Sequence, residues 1–225
     1  YITTVAGSTI GLYLISLVNG ERTFSYWRNK SAATFLGQNV DDVGNAMKKQ
    51  DMIYFSGITL AILDQNSREN LFSCLKSARR AGKKIAFDPN LRPKLWNDKK
   101  EMCDVIMAGA NLSDIILPSF EDEATWFSDA DPMSTLARYQ NVGAETVVVK
   151  NAGDPVSFWS QHGTGTYLVE SVEKIIDSTA AGDSFNAEIL VGLLREIPLA
   201  DAINNAANLA KKVLMGQGAL VKSSI

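Results

Sequence analysis

With 225 residues, 46% apolar and 21% charged and with a formal net charge of −3, the chain can fill a large α/β core and does not resemble a disordered one. No strong basic field is present to meet a phosphate-rich polymer, which argues against nucleic-acid binding. Two cysteines without a CxxC spacing and a single histidine, His162, exclude a site needing two histidines and suit a reducing compartment, so the expected location is the cytoplasm.

In chain order, a Gly/Ser/Thr-containing opening leads into an apolar run at 12–18, a turn at Asn19-Gly20 and a return strand at 22–27. Both turn residues accept positive φ, so a hairpin is expected, forming a small sheet apart from the main core. A polar, helix-forming stretch follows up to Lys49. From Asp51 onward strands alternate with helices. Strands are expected at 52–55, 84–87, 114–117 and 146–150. Helices are expected at 67–81, 99–110, 121–127 and 134–140, with Gly82 stopping the first of these. A local antiparallel pair is read at 156–159 and 167–169, and helices at 183–195 and 199–215 close the chain. Such alternation implies an α/β fold with a mainly parallel central sheet covered on both faces. No run of residues is apolar enough for a membrane span.

In sheets of this kind ligands bind beyond the carboxyl ends of the strands. Polar, Gly/Pro-rich segments fall there in consecutive units: Ser56-Gly57-Ile58-Thr59, Asp88-Pro89-Asn90-Leu91-Arg92 and Pro118-Ser119. They mark a shared crevice without naming a reaction.

The richest segment is Asp177-Ser178-Thr179-Ala180-Ala181-Gly182-Asp183. Small residues at 180–182 let a ligand approach the backbone, and a helix follows directly. Its first N–H groups lack intrahelical partners and its dipole adds positive charge, so the loop suits an anion. Asp183, at the helix start, has two readings. It can take the proton of a hydroxyl attacking a bound phosphate, or it can cap the helix. A Walker loop is absent, and Gly163 and Gly165 form GxG in a turn with no helix after it, so the dinucleotide fingerprint is absent too.

The same segment resembles the D-T-x-G-A-G-D signature of PfkB (ribokinase-like) carbohydrate kinases, with Ser178 replacing Thr and Ala180 replacing Gly. The resemblance covers nearly the whole chain. It implies a ribokinase-like three-layer fold with a mainly parallel sheet and a small β lid, the hairpin at 12–28 belonging to the lid. By that likeness Asp183 is the catalytic base and Ala180, Ala181 and Gly182 form the anion cradle. ATP is the implied co-substrate, with Mg2+. Nucleotide contacts carried over are Asn90, Arg92, Lys150, Gly153, Asn208 and Gly218; the loop at 151–155 departs from the family's glycine spacing. Ser119-Phe120-Glu121-Asp122 lies where relatives have N-x-x-E, which makes Asp122 a candidate on the metal side; an N-terminal helix charge is the other reading.

Two further segments resemble the branch acting on 2-keto-3-deoxygluconate: Gly20-Glu21-Arg22-Thr23-Phe24-Ser25-Tyr26-Trp27-Arg28 and Asn90-Leu91-Arg92-Pro93-Lys94-Leu95-Trp96. That sugar carries a carboxylate, which arginine binds bidentately. Tyr26 and Arg28, two apart on a strand, share a face, and Tyr13 lies on the partner strand. Arg92 suits either the sugar carboxylate or the nucleotide phosphates. The expected activity is therefore phosphorylation of this sugar acid. Another PfkB kinase, such as a fructokinase or ribokinase, and a catalytically silent sugar- or nucleotide-binding domain are the alternatives. Partners implied are the sugar acid, ATP and a second copy of the chain paired through the lid. Members of the family open with a strand and a G-G-x-x-x-N segment, and the chain is expected to lack this, roughly the first quarter.

Overall fold

The computed structural model describes residues 1–18 and 21–221, with side chains 16–24 excepted; the Asn19-Gly20 turn lies outside the described residues. The chain divides into two compact units, residues 1–85 with 91–112, and residues 86–90 with 113–225.

In the first unit, β1 (Leu12–Val18) and β2 (Glu21–Trp27) pair antiparallel as a separate two-stranded sheet. The expected helix-forming stretch becomes a short 3-10 turn at Ala32–Phe35 and α1 (Val40–Lys48), capped by the Asn39 side chain on the Asp41 and Asp42 amides. Strand β3 (Met52–Ser56) leads directly into α2 (Gly57–Ile62). Sequence treated Ser56–Thr59 as loop; the Ser56 hydroxyl instead accepts from the Ile58 amide and starts a helix. Helix α3 (Gln65–Arg80) begins two residues before the expected position because Asp64 accepts from Ser67 N at 2.7 Å. Helix α4 (Lys99–Ala110) is capped in the same way by Asp98. Leu60, Leu71, Leu75, Met102 and Ile106 are buried, and an Arg68–Glu101 ion pair at 2.9 Å joins α3 to α4. Gly37, at φ +88, lets the chain pass close to α3: a Cβ there would meet the Ser67 carbonyl oxygen at 2.6 Å.

Strand β4 (Lys84–Asp88) begins beside β3 in the first unit and ends in the second. There the sheet continues through β5 (Ile115–Ile116) and β6 (Thr146–Val149), both parallel, then β7 (Val156–Ser160) and β8 (Gly163–Tyr167), both antiparallel. The α/β class and the mainly parallel sheet are those expected from sequence. Val147, Val148 and Val149 are fully buried, as a run without polar alternation requires for a strand covered on both faces. Helices α5 (Phe120–Phe127) and α6 (Pro132–Asn141) lie between β5 and β6 in the chain.

One strand differs from expectation. Residues 163–165, read as turn, belong to β8, and 168–169 do not. Gly165 stands opposite Phe158, whose ring occupies the space a side chain would take; a Cβ would lie 2.6 Å from Phe158 Cζ. The glycines accommodate a bulky cross-strand neighbour and do not break the strand.

Helices α7 (Ala181–Leu194) and α8 (Leu199–Leu214) pack together around Gly192, where a Cβ would sit 2.7 Å from the Ala202 Cβ. Ile189, Ala202, Ile203 and Ala206 are buried in this region. Among the described residues no helix is long and apolar enough to cross a membrane.

Candidate active site

The start of α7 is built by the loop before it. Ile176 N and Asp177 N donate to the Leu214 carbonyl at 2.8 and 3.2 Å, fastening the loop to the end of α8. Asp177 then organises the turn. Its Oδ1 accepts from the Thr179 amide at 2.9 Å and from the Thr179 hydroxyl at 2.7 Å. Its Oδ2 accepts from the Gly218 amide at 3.1 Å. An aspartate that bonds its own backbone two residues on sets a tight turn, and this one also anchors the chain beyond α8. Gly218, expected on the nucleotide side, is thereby joined to the signature loop.

Ala180 takes φ +62 and ψ 10 and is the N-cap residue, with no side-chain cap bond. Helical bonding begins with Ser184 N donating to the Ala180 carbonyl at 2.9 Å. The amides of Gly182 and Asp183 therefore have no partner within the helix. A Cβ on Gly182 would meet nothing within 4 Å, so that side of the loop is open.

Helix α7 begins two residues before the position read from sequence, which makes Asp183 its third residue and not its cap. The capping reading of Asp183 falls. Its side chain is exposed and, among the described residues, has no hydrogen-bond or ion-pair partner. An open anion cradle with an uncommitted carboxylate beside it can hold a phosphoryl group and receive a proton.

Below this loop, three strand ends meet α7. The Lys150 ammonium, at the end of β6, donates to the Leu117 carbonyl at 2.7 Å and to Asn186 Oδ1 at 2.8 Å. It also lies 3.6 Å from Asp88 Oδ1, at the end of β4. Asn186 Nδ2 donates to Asp88 Oδ2 at 2.9 Å. Backbone bonds from Lys150 N to the Pro118 carbonyl (2.9 Å) and from Phe120 N to the Lys150 carbonyl (2.8 Å) extend the β5–β6 pairing to this point. Lys150, expected at the nucleotide, has its ammonium engaged by these protein groups. Asn186 was not among the expected site residues, and Asp88 entered only as the first residue of a polar segment at the crevice. The signal available for Asn186 was a polar side chain three residues beyond Asp183, directly after Phe185.

The remaining nucleotide-side residues fall at turns and on an exposed helix face. Gly153 is exposed, with open space where a Cβ would stand, in a turn where Ala152 takes φ +48. Asn208 donates to Asn204 Oδ1 at 3.2 Å, an oxygen that also accepts from the Tyr167 hydroxyl at 2.6 Å. Asn90 takes φ +32 at the end of the segment that carries Asp88.

In the first unit, Tyr13 and Tyr26 are register partners, with ring centroids 6.4 Å apart. The Arg28 guanidinium lies 4.5 Å from the centre of the Tyr26 ring. These three expected sugar-side residues are brought together. Stacking on the ring holds the guanidinium plane while leaving its edge for a carboxylate. Arg92 is exposed and left-handed (φ +48), just before the 3-10 turn Pro93–Leu95.

Asp122 is in the acidic first turn of α5 with Glu121 and Glu123. Among the described residues no group of three or more His, Cys, Asp or Glu is arranged to hold a metal ion. Glu123 faces inward instead. It is fully buried, accepts from the Tyr139 hydroxyl at 3.0 and 3.1 Å and pairs with Arg138.

The pfkB family carbohydrate kinase profile matches residues 1–224. The chain is 38% identical over 216 residues to the 2-dehydro-3-deoxygluconokinase of Haemophilus influenzae, covering 94% of this chain and 69% of that protein. The protein of the same name from Escherichia coli is 38% identical over 218 residues, with 94% and 70% covered. The crystal structure of fructokinase with bound ATP from Xylella fastidiosa has a TM-score of 0.77 at 23% identity, covering 96% of this chain and 70% of that one, a likeness of fold. A helix start with free amides, a ribokinase-like fold and a profile that spans the sequence point the same way. The chain belongs to the pfkB family of carbohydrate kinases.

Proposed function

We propose that the intact protein transfers the terminal phosphoryl group of MgATP to a hydroxyl of 2-keto-3-deoxygluconate, the 2-dehydro-3-deoxygluconate named in its relatives. The observation carrying this reading is the uncommitted Asp183 carboxylate in the first turn of α7, beside the open backbone at Gly182. Asp183 takes the proton of the acceptor hydroxyl as its oxygen attacks the terminal phosphorus and the bond to ADP breaks. The 180–182 cradle, through the Gly182 and Asp183 amides that lack helical partners, and the α7 dipole stabilise the charge on the migrating group. Arg28, oriented by Tyr26, binds the sugar carboxylate, with Tyr13 as a further hydroxyl contact; Arg92 serves a carboxylate or a phosphate. Asn90, Gly153, Asn208 and Gly218 line the nucleotide side. Asp122 is the residue that would stand on the side of a magnesium ion bound with ATP, where the ion would neutralise phosphate charge.

The protein acts in the cytoplasm. Leu12, Leu14 and Trp27 on the exposed hairpin support pairing of two copies through that sheet, which light scattering would test.

The central test is Asp183→Asn in the full-length gene product. Sugar and ATP binding, read by calorimetry, should persist, while kcat falls about 10²–10⁴-fold. Turnover near that of the native protein would refute the base. Comparing acidic with neutral sugars in an ADP-release assay tests the substrate. Preference for a neutral sugar would move the protein to another branch of the family, and binding without ADP release would make it a silent binding domain.

A further inference from the structure

We propose that Lys150, Asn186 and Asp88 are positioning residues. Together they fix the first turns of α7 over the ends of β4, β5 and β6, and so aim Asp183 and the amides before it. This inference rests on the reading of Asp183 as the base.

Such a cluster is costly to bury. Asn186 is 1% exposed, and the Lys150 and Asp88 side chains are 12% and 6% exposed. Removing an ammonium and a carboxylate from water is expensive, and a buried pair is weak as a source of stability. The gain from a fully bonded polar network is a single geometry. Here that geometry is unusually determined. The asparagine oxygen faces an ammonium and its nitrogen faces a carboxylate, at 2.8 and 2.9 Å. Flipping the amide would put donor against donor and acceptor against acceptor, so Asn186 has one orientation. Its helix has one rotation consistent with that orientation.

The cluster also lies in the place where rotation matters. Asn186 is three residues beyond Asp183, about 4.5 Å along the helix axis and on nearly the same face. Lys150 simultaneously holds the Leu117 carbonyl, so one cation references α7 to the end of β5 as well as to β4. Asp177, at the other end of the loop, fastens it to Gly218. The loop is thus pinned before Ala180 by one aspartate and after Asp183 by the Lys150–Asn186–Asp88 network. Misplacement of a reacting group by about 1 Å can cost on the order of 10²-fold in rate, so loosening the second pin should appear in kcat.

The test uses the full-length protein with Asn186→Leu, Asn186→Asp and Asp183→Asn, alone and combined, assayed on the folded fraction. Asn186→Leu should lower kcat about 30-fold or more while both KM values stay within about 3-fold. In the Asp183→Asn background the same substitution should cost less than about 3-fold, because its effect passes through the lost base. Asn186→Asp keeps the shape and the Lys150 contact but sets a second carboxylate against Asp88. When protonated it can still donate to Asp88, so its kcat should recover as pH falls, through an ionisation absent from the native profile. If Asn186→Leu fails to fold, Asn186→Asp carries the test alone. Unchanged kcat with only a lowered melting temperature would overturn the positioning role, as would a tenfold rise in KM for ATP at constant kcat. Those results leave the base reading standing if Asp183→Asn is inactive. An active Asp183→Asn would sink both.

Discussion

Ala180 stands where the family signature has glycine, and it adopts φ +62, so replacing it tests whether the loop geometry is imposed on an unfavourable residue. A non-glycine residue in the left-handed region costs roughly 1–2 kcal/mol through the clash of Cβ with the following carbonyl. Ala180→Gly removes that clash. It also frees the unfolded chain, which returns about 0.4–1 kcal/mol to the unfolded side. The net expectation is stabilisation by about 0.5–1 kcal/mol, or a melting temperature higher by about 1–4 °C for a chain of this size. The control is Ala187→Gly, an exposed position within α7. There the backbone is helical, no clash is relieved, and glycine should destabilise by about 1 kcal/mol. Urea denaturation of both variants gives the comparison directly. Opposite signs are expected; destabilisation by Ala180→Gly equal to that of Ala187→Gly would refute the claim of strain at this turn.

Two other perturbations follow from the geometry. Arg28→Ala should raise KM for the acidic sugar at least about tenfold while KM for ATP changes less than about twofold, since a lost charge-assisted bond to a carboxylate is worth roughly 1.5–3 kcal/mol; equal effects on both substrates would count against the clamp. The second concerns Glu123, whose burial pushes its carboxyl from the ordinary 4.5 up to about 7, although Arg138 and Tyr139 act to lower it. The Arg138 guanidinium is nevertheless held charged: burial would lower its pKa, and the Asp129 carboxylate at 2.6 Å, together with Tyr139 and Glu123, more than offsets that. Its charge therefore owes more to Asp129 than to Glu123. Between pH 4.5 and 7 the folded state keeps a proton that the unfolded state releases, so this stabilising contribution is complete below about pH 4.5 and is lost as pH rises through 7. The loss amounts to something on the order of 3 kcal/mol. Glu123→Gln should flatten the fall in stability between pH 5 and pH 8 measured by urea denaturation, and an unchanged slope would dispose of the idea.

Much of the architecture could be read along the chain because the decisive signals are local. The valine run at 147–149 is apolar at every position, so it had to be a strand covered on both faces. Tyr13, Tyr26 and Arg28 could be placed together because alternation along a hairpin is a short-range rule. The errors have equally physical causes. Helix α7 was expected to start at Asp183, since aspartate is a common start signal and Ala-Ala-Gly is none; the start is set instead by the backbone of Ala180. Gly163 and Gly165 read as a turn because glycine weakens strands, yet Phe158 fills the space above Gly165.

The Lys150–Asn186–Asp88 network is a different kind of omission. Its members are separated by 36 and 98 residues, and no periodicity or spacing relates them. The family resemblance places Lys150 at the nucleotide through the loop that follows it, and the fold gives its ammonium a partner from α7. A signature such as the one ending in Asp183 reports which groups do chemistry, because those groups crowd into one turn. What aims them comes from strands far away, through buried polar side chains whose neighbours are chosen by topology. That division explains why the proposed base was legible and the network proposed to position it was not. It also implies that substitutions at the support should damage turnover in a chain whose signature remains intact.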